Sequence, residues 1–559
     1  MYKLHVSDRK YTSWKMYKAK TLETVESIIS PIEHKLFDQD IFDANENTVT
    51  IVHSCVRSMK NIPGVLVLEG NKTYGKRNRK FLYRCIPDDK RLPEFLIPYS
   101  KKIEFSKKDF NKYVIFQFLN WDQGHPIGTL VQVLGDVTKL DNFYEYQLYC
   151  KSLYASIQTF TKAAMKTLKA KSTTYFIENI EKHMIDRTDT EIFSIDPKTS
   201  KDFDDAFSFE ESNDHHLVSI YIANVALWLD VMGIWESFSR RVATIYLPDR
   251  KRPMLPTVLS DLLCSLQEGE TRFAFTLDLK ISKDTGEIVD SSFYNSKICV
   301  KKNYTYNNVG EYDKYKKLFD CVKKMNKYQN YVTYLKDSHD MVAYLMIVMN
   351  YISAKKLRMK KTGIFRSVIS KDSYKTPNHL PENIGRFLKS WNSMGGSYEP
   401  FADLKRHDML ELEAYVHITS PIRRLVDLLN IIELQDKLGI YKKSPAAKQF
   451  YDEWTTPTSF DYINTTMRAI RKVQNDCSLL NVCQTMDNLH EREFDGFMFD
   501  RIERNDGLYQ YMVYLPELKM VNRVTMRNDR ANMSFGKFKL YVFVDEHRLK
   551  QKLRLNICI

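Results

Sequence analysis

The sequence predicts a multidomain α+β protein in which small β-barrels flank one large mixed domain, and three observations lead there. The chain has 559 residues, more than a single hydrophobic core organises, so domains of ~150 residues are expected. Short apolar runs bounded by turn residues crowd both ends of the chain. They are "TVTIVHSCV", "GVLVLEG" and "KFLYRCIP" from residue 48, then "KKIEFS", "KYVIFQFLNW", "GTLVQVLGD" and "YEYQLYC". Near the C-terminus "FDGFMFDRI", "YQYMVYLPEL", "RVTMRN" and "FKLYVFVD" repeat the pattern. Strands at such spacing predict small antiparallel barrels of the kind that grip single-stranded nucleic acid. Between the ends, strands alternate with long helical stretches, as one large mixed domain requires.

The expected boundaries follow from these shifts in pattern. Residues 1–47 read as a polar extension, helical in part around "YKAKTLETVESIIS". A first barrel is expected over 48–100 and a second over 101–165. The basic stretch "KAAMKTLKAKSTT" reads as a connector, the mixed domain spans 175–485, and the last barrel occupies 490–559. The longest apolar run, "MVAYLMIVMNYI" from Met341, is shorter than the ~20 residues that span a bilayer. It predicts a buried helix, and no membrane partner is expected.

Composition narrows the function classes. Hydrophobic residues make up 43% and charged residues 28%, an ordinary globular balance. Lys and Arg number 84 against 70 acidic residues, a net charge of +14. Such a surplus points to an anionic partner, nucleic acid first and a membrane surface second. The nine cysteines are scattered without a CxxC pair. That speaks against a structural zinc site and for free thiols in a reducing, cytoplasmic compartment. The N-terminus lacks the apolar stretch of a signal peptide.

Against this basic background, "SIDPKTSKDFDDAFSF" gathers Asp196, Asp202, Asp204 and Asp205 within ten positions. Two carboxylates about 5 Å apart at an effective dielectric near 20 repel by roughly 3 kcal/mol. Asp196 is expected to end a strand, with Pro197 favouring an extended backbone there. A second strand is expected from Asp202, placing Asp202 and Asp204 on one face and Asp205 on the other. Carboxylates converging from two strands are tolerated around a hard cation, Mg²⁺ or Mn²⁺. Such a centre activates water and clamps an in-line phosphodiester displacement. The competing reading is a solvated acidic loop. A D-x-D-x-[TV] phosphatase is excluded, because Asp204 is followed by Asp205 and Ala206.

"HITSPIRRL" carries a second signal. Ser420 is a good N-cap and Pro421 a good first helical residue, so a helix is expected to begin here and attract phosphate. Arg423 in its first turn can add a forked contact, whereas Arg424 points about 100° away around the helix, toward a structural or weaker backbone contact.

Together these blocks resemble the signature of the ribonuclease II family, which includes bacterial ribonucleases II and R and eukaryotic Dis3-like enzymes. "YIANVALWL", "YLPDRKRPMLPTVLSDLLCSL" and "YVHITSPIRRLVDLL" follow the aspartate block in the family's order. "NWDQGHPIGTLVQVLGD" resembles the second cold-shock-like barrel of its eukaryotic members. The resemblance implies two cold-shock-like OB barrels, a central RNB catalytic domain and a C-terminal S1-like OB barrel. It also implies Mg²⁺-dependent, processive 3′→5′ hydrolysis of single-stranded RNA to nucleoside 5′-monophosphates, with two ions during catalysis. A monomer without an organic cofactor is expected.

On the matching positions, Asp196 and Asp205 are the expected direct metal ligands. Asp202 and Asp204 complete the centre, with Asp204 orienting a second metal or the attacking water. Arg423 would hold a phosphate near the scissile bond, with Arg424 beside it on the RNA. Tyr246 would clamp bases at the 3′ end and Tyr306 would stack on a base, although Tyr304 lies two residues away and competes for that place. The chain also departs from the family. Ala343 and Tyr344 stand where a Glu-Glu pair is usual, and Ile470 stands where a glutamate is usual. These departures motivate a rival reading, an RNA-binding scaffold whose nuclease centre has decayed.

Overall fold

The computed structural model describes residues 1–26, 29–45, 48–101, 110–332, 335–369, 380–489 and 491–558. The chain divides into two compact units. One comprises Met1–Tyr154, Leu247–Arg250 and Arg471–Ile559, and the other Ala155–Tyr246 and Lys251–Ile470.

In the first unit, residues 2–53 form a five-stranded sheet ordered 24–25, 14–18, 2–6, 41–45 and 48–53. A second sheet follows over residues 62–136. In it 62–66 pairs with 112–116, and also with 80–87, so that the strands return to their starting edge. Both sheets contribute to one core, with Leu4, Val6 and Phe42 from the first beside Leu66, Phe95 and Phe116 from the second. At Gly64 a Cβ would come within 2.9 Å of Cys85 Sγ and the Phe116 ring, which explains a glycine in that strand. The last 66 residues carry a third sheet, Phe494–Glu503 through Lys550–Ile557, over Phe494, Tyr511, Val513 and Phe538.

The expected boundaries of the N-terminal half need correction. Residues 1–47 are not an extension, since Tyr2–Val6 pairs with Trp14–Lys18, and Thr24–Val25, within the stretch where helix was expected, pairs with Met16 and Tyr17. Of the strands assigned to separate barrels over 48–100 and 101–165, Thr48–His53 joins the first sheet, those within 62–136 belong to one sheet, and "YEYQLYC" lies in the helix Leu140–Cys150. Strand pairing joins residues some 50 positions apart, and local periodicity does not report it. The strand expected at "KKIEFS" lies outside the described residues beyond Lys101. The connector is a helix as well, Gln158–Ala170, anchored by buried Phe160 and Ala164.

The second unit is built on a closed five-stranded barrel. Its strands are β1 (Ile185–Asp196), β2 (Asp205–Glu211), β3 (His215–Ala223), β4 (Thr271–Ser282) and β5 (Ile288–Thr305). Neighbours run antiparallel except β5 and β1, which close the barrel in parallel. Phe193, Phe207, Ile220, Phe275 and Leu277 fill one core with the helix Ser338–Met359 (α1). Asp337 caps α1 by accepting from the Asp340 N–H at 3.0 Å. Met341, Leu345, Val348 and Ile352 recur at helical spacing on its buried side, as the apolar run predicts. Each such burial contributes about 1.5–3 kcal/mol. A second buried helix, Leu425–Lys437 (α2), packs in the same unit. All nine cysteines are free thiols, and no helix among the described residues is long and apolar enough to cross a membrane.

Candidate active site

The acidic block folds as a strand, a loop and a strand. Asp196 ends β1 and Asp205 opens β2, with Phe193 paired to Phe207 just inside the barrel. The second strand begins three residues later than expected, so Asp202 and Asp204 lie in the loop and do not alternate along a strand. Side-chain and backbone bonds hold that loop. Phe203 N–H donates to Ser265 Oγ at 3.0 Å, the Ser265 hydroxyl donates to the Lys201 carbonyl at 3.0 Å, and Leu266 N–H donates to the Phe203 carbonyl at 3.0 Å.

Burial and mutual repulsion then shape the electrostatics. Asp204 is 2% exposed and Asp205 8%. The Oδ2 atoms of Asp196, Asp204 and Asp205 are each buried without a hydrogen-bond partner. Burial raises Asp196 to about 6 and Asp204 to about 7, from 3.8. Asp205 is pushed well above the carboxylate range, by burial first and then by the charges of Asp196 and Asp204. Asp202 differs, for Lys251 Nζ lies 3.1 Å from its Oδ1 and the Tyr246 hydroxyl donates to its Oδ2 at 3.1 Å.

The donor set suits a hard divalent cation. Three buried carboxylate oxygens that accept no hydrogen bond, one of them facing the Arg423 guanidinium, are hard donors of the kind that Mg²⁺ or Mn²⁺ prefers. No three of the four aspartates bring ligand atoms within 4.8 Å of one another. Among the described residues, the group of three whose ligand atoms lie within 4.8 Å of one another is Asp337, His339 and Asp340. There Asp337 serves as the helix cap, and Asp340 accepts the Lys336 N–H at 2.9 Å.

Arg423 and Arg424 have opposite surroundings. The expected helix at Pro421 does not form; residues 421–423 make a turn, Arg424 is extended, and α2 begins at Leu425. The Ile422 N–H that a helix start would offer to phosphate instead donates to Asp204 Oδ1 at 3.0 Å. Arg423 Nε lies 3.0 Å from Asp204 Oδ2 as an ion pair, out of line for a hydrogen bond, and its side chain is 48% exposed. Arg424 turns inward and grips the fully buried Asp427 through both Nε and Nη2. Its expected place on RNA is corrected to a structural one, because Asp427 also accepts the Ser420 N–H at 2.7 Å and needs that cation.

The tyrosines separate as well. Tyr246 is 39% exposed on a two-residue strand paired with Lys251–Arg252. Tyr304 stacks on Tyr312 at 5.1 Å and meets Phe193 edge-on. Tyr306 lies beside His339 at 5.2 Å, and burial followed by the charges of Asp205 and Asp196 raises its hydroxyl to about 12. Of the two, Tyr306 is the one that faces the carboxylates. Two of the replaced positions are core, Tyr344 at 1% exposed and Ile470 at 4%, whereas Ala343 is half-buried. Lys251 and the Ile422 amide were missed from sequence. The run "DRKRP" does not say which cation turns inward, and a main-chain donor leaves no trace in a side-chain pattern.

The folded chain is thus a multidomain α+β protein whose second unit carries an aspartate-rich barrel end. Residues 184–321 match the RNB domain, and residues 82–145 match the Dis3-like cold-shock domain 2 (CSD2). Both matches fall on the stretches whose motifs carried the resemblance. Ribonuclease R of Mycoplasmopsis pulmonis is 30% identical over 232 residues, 39% of this chain and 31% of that protein, so the match spans less than a third of that relative's length. Mycoplasma genitalium RNase R, solved in complex with ribose-methylated single-stranded RNA, aligns over 100% of both chains with a TM-score of 0.71 and 16% identity. Yeast Ssd1, described as a pseudonuclease, aligns over 96% of this chain and 80% of its own with a TM-score of 0.59 and 14% identity. At such identities the likeness establishes the OB-plus-RNB fold.

Proposed function

We propose that this chain is a divalent-metal-dependent hydrolase that degrades single-stranded RNA processively from the 3′ end to nucleoside 5′-monophosphates. The observation that carries this reading is the set of three buried carboxylate oxygens that accept no hydrogen bond at the end of the barrel. Asp196 and Asp205 would hold the ion, with Asp204 next to them. Bound there, Mg²⁺ or Mn²⁺ supplies the charge these oxygens lack and the Lewis acidity that phosphodiester hydrolysis needs. Asp204 is kept in one orientation by the Ile422 amide, which suits it to align a water. The partly exposed Arg423 guanidinium lies beside it and can take up charge developing on the phosphate. Tyr246 and Tyr306 offer faces for stacking, a contact that tolerates every base and is worth ~1–3 kcal/mol each. The basic barrels would supply sequence-independent, salt-sensitive affinity.

A second reading is an RNA-binding scaffold with an inactive centre. It draws on the core residues Tyr344 and Ile470 at positions usually acidic, and on the fold shared with a pseudonuclease. Incubating 5′-labelled and 3′-labelled single-stranded RNA with Mg²⁺ separates the two. Progressive shortening of the 5′-labelled strand from its 3′ end, with the 3′ label released at once as mononucleotide, supports the enzyme. A shifted band without products supports the scaffold. Cutting of a circular RNA would sink the exonuclease reading.

A further inference from the structure

Lys251 stands across the hairpin from Tyr246, in register with it. Its Nζ lies 3.1 Å from Asp202 Oδ1 and 3.0 Å from Asp261 Oδ1. The second oxygen of Asp202 accepts the Tyr246 hydroxyl. Both oxygens of Asp202 are therefore hydrogen-bonded, whereas Asp196, Asp204 and Asp205 each retain a buried oxygen that accepts no hydrogen bond, that of Asp204 facing Arg423 Nε as an ion pair. The arrangement is built into the fold on both sides of the ammonium. The loop carrying Asp202 is tied to Ser265 and Leu266, and Asp261 accepts the Ser260 hydroxyl at 2.6 Å. Partial burial works against the charge on Lys251, but its hydrogen bonds and attraction to Asp261 and Asp202 outweigh that and raise its pKa.

A divalent ion that took Asp202 as a ligand would have to displace an ammonium already neutralising it and would then face that ammonium at close range. Resting on the metal-dependent reading above, we propose that Lys251 is the permanent counter-ion of Asp202. The cation is then held by Asp196 and Asp205, with Asp204 next to them, and Asp202 is left out of its coordination. Lys251 is thus a positioning residue. It fixes Asp202, and through Asp202 the hydroxyl end of Tyr246 on the face that meets the substrate.

The test is Mn²⁺ binding to the full RNA-free chain, read from the loss of the free-ion electron paramagnetic resonance signal, alongside metal-free melting curves. Asp205→Asn should weaken binding by about tenfold or more, while Asp202→Asn stays within about twofold of wild type. Lys251→Met should tighten binding about fivefold, because it frees a carboxylate and removes a repelling charge, and Lys251→Arg should return it to the wild-type value. Equal losses in Asp202→Asn and Asp205→Asn, or unchanged affinity in Lys251→Met, overturn the proposal. If Lys251→Met does not fold, the two asparagine variants decide alone. A wild-type chain that binds no Mn²⁺ overturns the metal-dependent reading itself, and this inference with it.

Discussion

One β-barrel holds two polar clusters of opposite character, at the two ends of β1. Near its start, Arg187 meets Asp278 in a forked pair, with Nη1 to Oδ1 at 2.7 Å and Nη2 to Oδ2 at 2.6 Å. Ser219 donates to the same carboxylate at 2.8 Å. Near its end, Asp196, Asp204 and Asp205 share one part-exposed arginine and keep three oxygens unsatisfied. The first cluster is chemically closed: charge is matched by charge and every strong acceptor has its donor. The second is open, with three buried carboxyl oxygens set against a single arginine. A fold keeps polar groups in the first state for stability. It carries the second at a cost, and the proposed ion would offset that cost.

The comparison is sharpest where an open-cluster carboxylate is removed. Asp204→Asn keeps size and shape but loses the charge, so cleavage should fall by about a thousandfold, roughly 4 kcal/mol of transition-state stabilisation. RNA affinity should hold within a few-fold, and metal-free melting should stay level or rise, because a repelling charge has gone. A stability loss with retained cleavage would make Asp204 a structural residue like Asp278.

The closed cluster should respond in the opposite way. Asp278→Ala leaves Arg187 partly buried and unpaired, so the urea midpoint should report a loss of about 3 kcal/mol. Turnover on RNA, measured well below the unfolding transition, should change little. A large drop in turnover with unchanged stability would erase the distinction between the two ends of the strand.

The smallest effect concerns pH. Asp196 near 6 and Asp204 near 7 lie above the unfolded value of 3.8, so the metal-free native state binds more protons than the unfolded chain between these limits. Their stabilising contribution is full below about pH 4 and is lost as pH rises through 6 to 7. Ordinary carboxylate pairs weaken over the acidic part of that range, which keeps the net slope modest. Metal-free wild type should lose more stability between pH 5 and 7.5 than Asp204→Asn does, as read by urea midpoints. An equal or steeper loss in the variant breaks the assignment.

Much of this was legible in the residues themselves. The spacing of the four aspartates between apolar flanks indicated a strand, a loop and a strand, and the apolar run from Met341 indicated a buried helix. These are local patterns, set by the period-2 and 3.6-residue geometry of the backbone. What the sequence could not settle was which polar group meets which. Only the tertiary fold placed the Ile422 amide on Asp204, a partner 218 positions away. That same bond accompanies a turn where Ser420 and Pro421 promise a helix, and it separates an outward Arg423 from an inward Arg424. The fold likewise joined residues 2–53 into a sheet of their own and brought Lys251 onto Asp202. Charge, composition and periodicity are properties of the chain as written. The partner of a buried charge is settled by long-range packing, because a desolvated ion finds its counterpart wherever the fold presents one.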